Sequence, residues 1–111
     1  MRMWMVDPAM MCDQHLLGEH VEIHMLTGTL ARHRSIDGFI VKGLLEPSSM
    51  AERHERLVAE MARRRFTHRS PLPESDLGYL GPEARGARVD VAVSATELAS
   101  RCERCRDRAV G

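Results

Sequence analysis

Twelve residues near the N-terminus, Asp13-Gln14-His15-Leu16-Leu17-Gly18-Glu19-His20-Val21-Glu22-Ile23-His24, hold three carboxylates and three imidazoles. With about 3.6 residues per helical turn, His15, Glu19, Glu22 and Leu26 share one stripe. His20 and His24 form a second pair one turn apart. Carboxylates so placed can stabilise developing positive charge and carry protons. Gly18 lies beside them, although a mid-helix glycine costs roughly 1 kcal/mol relative to alanine. Close approach of another backbone or a ligand to the Glu19–Glu22 face would account for it.

The same residue types can ligate metal. His15/Glu19, Glu19/Glu22, Glu22 with His24, and His20/His24 all have helix-face spacings suited to zinc or iron. Cys102-x-x-Cys105 and Cys12 add three thiols. A lone CxxC is a weak signal, however, and no second CxxC or HExxH pattern completes a four-ligand set. No metal and no cofactor are therefore expected. The alternative is a structural zinc, should Cys12, Cys102, Cys105 and a histidine converge and pin the third helix to the first.

The elements that position these residues follow from pattern. Met1-Arg2-Met3-Trp4-Met5-Val6 is a short apolar arm without helical period, and Asp7-Pro8 ends it and opens a turn. A first long helix is predicted from about Asp13 to Ala31, and Ser35–Gly43 reads as a glycine-punctuated connector. Ser49 and Glu52 have capping-box spacing, which starts a second helix reaching Arg64 or Arg65, with Met50, His54, Leu57, Val58 and Met61 on its buried stripe. His54 there reads as a core histidine with a hydrogen-bond partner. Residues 67–88 form a long loop rich in Pro, Gly and Ser, of a length usually tied to function. Val89–Val93 is briefly extended. Ser94 and Glu97 repeat the capping-box spacing and open a third helix to about Arg106. The expected fold is all-α, one compact domain over residues 1–111, with three main helices, an N-terminal arm and long loops.

Composition narrows the class. The chain has 111 residues, with 16 Lys+Arg against 16 Asp+Glu, so no global charge argues for nucleic acid. Lys42 is the single lysine; arginine supplies the rest, clustered at Arg32/Arg34, Arg63–Arg65 with Arg69, Arg85/Arg88 and Arg101–Arg108. No apolar run approaches the roughly 20 residues a membrane span needs. Without an export signal, the odd cysteine count points to reduced thiols in the cytoplasm.

Three blocks resemble the pyrimidine-dimer DNA glycosylases of the phage endonuclease V type: Met1-Arg2 with DQHLLGEHVEIH, then RHERLVAEMARRRF, then THRSPL. The resemblance covers the N-terminal two-thirds and keeps the spacing from the N-terminus to Asp13-Gln14-His15. It implies a compact fold of three main helices and a chemistry in which the backbone α-amine attacks C1′ of the damaged nucleotide. A Schiff base forms, and β-elimination then nicks the strand at the abasic site. By the same resemblance Met1 supplies the amine and Glu22 is the catalytic carboxylate, while Arg2, Gln14 and His15 lie near the DNA. Arg101 falls where the phage-type enzyme has a lysine. An α-amine titrates at about 7.7–8.0, so it is an apt Schiff-base former, and Arg2 is too large for methionine removal.

The implied partner is double-stranded DNA with damaged pyrimidines or abasic sites, bound by a monomer, with no membrane. The chain departs from the pattern at Val21, Met25 and Glu97, where the phage-type enzyme carries arginine, and at Arg65, where glycine is expected after the second helix. Fewer phosphate contacts weaken binding and its salt dependence. Two alternatives stand beside the glycosylase: a non-catalytic helical binding domain of the same fold, and a metal-binding helical protein.

Overall fold

A computed structural model describes residues 1–68 and 70–110. Arg69, part of the arginine clusters and of the THRSPL block, and Gly111 lie outside the described residues. The described chain is all helix and coil. A 3-10 turn at Pro8–Met10 leads into α1 (Asp13–Ala31), followed by α2 (Asp37–Val41) and a second 3-10 turn at Pro47–Ser49. Then come α3 (Met50–Arg63), α4 (Pro82–Gly86), α5 (Val91–Arg101) and α6 (Glu103–Val110). The first two long helices thus fall where the apolar periodicity puts them.

The core forms where α1 packs on α3 and the arm crosses both. Leu16, Ile23, Leu26 and Leu30 of α1 meet Leu57 and Met61 of α3, with Met3, Trp4, Val6 and Met11 buried among them. α1 has no simple apolar stripe, because Glu19, His20 and Thr27 are buried with its leucines while Val21 and Met25 are exposed.

Several expectations are corrected. Ser49 caps nothing with its side chain; its hydroxyl donates instead to the buried Glu46 carboxylate, whose other oxygen accepts the Val89 N–H at 2.9 Å. The predicted third helix begins earlier, with Asp90 as its cap accepting the Val93 N–H at 3.1 Å, so Val91–Val93 is helical. Ser94 is buried and its hydroxyl is drawn to the arm, which leaves none for capping. That helix also breaks at Cys102, whose extended backbone separates α5 from α6. The loop over 67–88 holds the short α4 at its far end.

The three helices α1, α2 and α3 close alike. Each ends in a residue with positive φ, namely His33 (52°), Gly43 (70°) and Arg65 (65°). Paired N–H donors return to the last turn: His33 to Leu30 and Arg34 to Thr29, Gly43 to Ile40 and Leu44 to Phe39, Arg65 to Ala62 and Phe66 to Met61. These are Schellman closures, and Arg65 fills the glycine position of its helix without a change of motif.

Candidate active site

The arm is a strap fixed at three points, with left-handed backbone at Met5 (φ 59°). The Met3 N–H donates to the Leu44 carbonyl at 2.8 Å, the Ser94 hydroxyl to the Trp4 carbonyl at 2.6 Å, and Arg53 Nη1 to the Val6 carbonyl at 2.6 Å. Trp4 is buried, takes the Arg2 guanidinium over its ring at 3.6 Å, and meets His15 edge-on at 5.9 Å. These contacts set Met1 against α1.

Met1 opens into a cleft of about 940 Å³, which Arg2, Gln14, His15, Gly18, Glu22, Lys42, Glu97 and Arg101 also line. Each residue singled out for this site therefore reaches one cavity. Burial raises the Glu22 carboxyl above the usual carboxylate range; the Met1 ammonium and the Arg2 backbone N–H act against that rise, and Glu19 adds to it. The first nitrogen of the chain and the carboxyl at position 22 thus sense one another. A Cβ at Gly18 would meet no protein atom within 4 Å, so the open side of the helix faces cleft rather than backbone.

Glu19 has a different task. Both its oxygens are held by Arg53, at 2.6 and 2.9 Å, and both side chains are 0% exposed. A charge pair taken so far out of water needs this bidentate geometry and the further bond to Val6. Arg53 escapes a sequence reading, although it falls between Met50 and Leu57 on the apolar stripe. An arginine there requires a buried anion. Lys42 was also missed, and its signal was only its place beside Gly43 in a connector.

The two arginines share one carboxylate. Arg2 Nη2 lies 2.7 Å from Glu97 and Arg101 Nη2 lies 2.5 Å from it, and the Arg2 guanidinium holds that carboxyl below its usual range. Tyr79 stacks on His33 at 4.4 Å and its hydroxyl donates to the Arg34 carbonyl. Trp4 and Tyr79 are thus both engaged within the protein.

Two ligand-rich clusters flank α1. Cys12, His15, Cys102 and Cys105 each offer an atom within 4.8 Å of the others, and so do His20, His24, His54 and His68. In the histidine cluster, ring centroids lie 4.7–5.1 Å apart. Burial and then the three neighbouring imidazoles push His20 down to about 4. His54 does bond through Nδ1 to Glu55 at 3.1 Å, but the Nε2 atoms of all four histidines are buried without a protein partner. Each such atom costs about 1–3 kcal/mol.

Residues 1–74 match a family model described as pyrimidine dimer DNA glycosylase. No curated protein and no solved structure matches the chain.

Proposed function

This chain belongs to the pyrimidine dimer DNA glycosylase family, and we propose that it cleaves the damaged nucleotide through the α-amine of Met1 with Glu22 assisting, then nicks the strand as an abasic-site lyase. The Met1 lone pair attacks C1′ while the C1′–N bond breaks. The base leaves with the bonding electrons and collects a proton. The sugar ring opens as nitrogen and C1′ become an iminium, and loss of a C2′ proton then expels the 3′-phosphate. These steps need a nucleophile that is partly unprotonated near neutral pH and an anion beside the developing positive charge. Glu22 suits that second task because Glu19, its neighbour on the same stripe, is already neutralised by Arg53.

One observation carries the reading: Met1 and Glu22 line one cleft, and the charge of the Met1 ammonium acts against the rise of the Glu22 carboxyl. Gln14, His15, Arg2 and Arg101 line the same space and would meet the DNA, with Lys42 beside them. A monomer acting on duplex DNA satisfies this geometry, and the steps call on no cofactor.

Borohydride trapping tests it, using duplexes with one pyrimidine dimer, one abasic site or no lesion. The expected result is a covalent adduct on the two lesion duplexes, lost when the Met1 amine is acetylated. Glu22→Gln should lower the trapping rate by roughly 100-fold or more, in the range of a lost acid–base group. Equal trapping by free and acetylated protein would overturn the reading. A helical binding domain without catalysis, favoured by the Glu97 clamp on Arg2 and Arg101, predicts binding without trapping.

A further inference from the structure

We infer that His20, His24, His54 and His68 form a four-coordinate site for a divalent ion of the zinc class. His20 and His24 stand one turn apart on α1, His54 comes from α3, and His68 lies in the coil that follows α3. One ring nitrogen of each is within 4.8 Å of the other three. Four ligands around zinc at about 2.0–2.1 Å would stand roughly 3.3 Å apart, so a small inward turn of the rings closes the set.

The choice of metal over simple packing rests on the unpartnered atoms. Four Nε2 atoms are buried together without a protein hydrogen bond, which polar atoms in a folded interior rarely tolerate. A single cation satisfies all four at once. One outer nitrogen is positioned as in metal sites: His54 Nδ1 lies 3.1 Å from the Glu55 carboxylate. Four protein ligands make a closed, structural centre, tying the coil after α3 to the α1–α3 pair. Two residues along a helix turn the side chain by about 200°, so His20 and His24 face away from Glu22 and its cleft. The site is separate from the proposed chemistry.

A different observation carries a second centre at Cys12, His15, Cys102 and Cys105. Each sulfur accepts a backbone N–H: Cys12 from His15 at 3.5 Å, Cys102 from Cys105 at 3.5 Å, and Cys105 from Cys12 at 3.2 Å. His15 Nδ1 is 3.3 Å from Cys12 Sγ. Three sulfurs and an imidazole nitrogen converging within 4.8 Å of one another are a donor set of the kind structural zinc takes. This centre would pin the α5–α6 junction to the start of α1.

Metal analysis decides both. The full chain, purified without chelator, is stripped with a chelator and titrated with Zn(II), then separately with Co(II). Two equivalents are expected. Co(II) should show tetrahedral d–d absorption together with a sulfur-to-metal charge-transfer band. His24→Ala/His68→Asn should lose one equivalent and keep the charge-transfer band, while Cys102→Ser/Cys105→Ser should lose one equivalent and the band. His68→Asn alone, which alters only coil, should weaken Zn(II) binding at the first site at least tenfold and guards against a folding artefact. Unchanged stoichiometry and affinity in the histidine variants overturn the first centre, and an unchanged band in the cysteine variant overturns the second.

Discussion

Two glutamates one turn apart on α1 look alike in sequence and differ sharply in surroundings. Glu19 is held by Arg53, a residue 34 positions away, and its removal leaves an arginine charge buried with no counter-ion. Glu19→Gln should therefore destabilise the fold by about 3–5 kcal/mol, read as a lower midpoint in urea denaturation. Glu22 is partly buried in the open cleft and has no ion-pair partner among the described residues. Glu22→Gln should shift stability by only about 0.5 kcal/mol, while trapping on abasic DNA collapses. Reversal of the two phenotypes would move the proposed carboxylate to position 19. Helical spacing made the shared stripe legible, but it could not say which carboxylate a distant arginine neutralises. For the same reason the unpartnered Nε2 of His54 was not legible: three of its four cluster members lie on other elements or other turns.

At the scale of elements, the pattern of apolar residues was enough to place α1 and α3, because both bury a long face. Cap chemistry was less readable. Ser49 and Ser94 both precede a glutamate at capping-box spacing, yet other partners, the upstream Glu46 and the distant Trp4 carbonyl, take their hydroxyls. Helix closure is local, made by backbone bonds to the last turn, but two of the three closures lack the glycine that would mark them. Arg65 and His33 occupy left-handed backbone that favours glycine, at about 1–2 kcal/mol for a residue with a Cβ. Arg65 is exposed and stacks on nothing described, so Arg65→Gly should raise stability by about 1 kcal/mol. His33→Gly relieves the same strain but forfeits stacking on Tyr79, worth about 0.5–1.5 kcal/mol, and should come out near neutral. Paired chemical denaturation curves separate the two; equal gains would mean the His33–Tyr79 stack contributes nothing.

The whole molecule has no net charge to attract DNA, so affinity must come from local placement of cations. Around the cleft that placement is sparse. Arg2 and Arg101 both pair with Glu97, and Val21, which lines the cleft, and Met25, one turn further along α1, are 54% and 56% exposed with apolar side chains. Binding should accordingly be weak and only shallowly dependent on salt, since each phosphate contact adds about 0.9 to the slope of log affinity against log salt. Val21→Arg/Met25→Arg tests whether this face meets the backbone of the duplex. Both positions are exposed, so stability should change little, whereas two new contacts should steepen the slope by about 1.8. Fluorescence anisotropy across a salt series reads that change directly. An unaltered slope would mean that DNA does not lie along this side of α1, and the duplex would then have to enter the cleft from the α2 side, past Lys42.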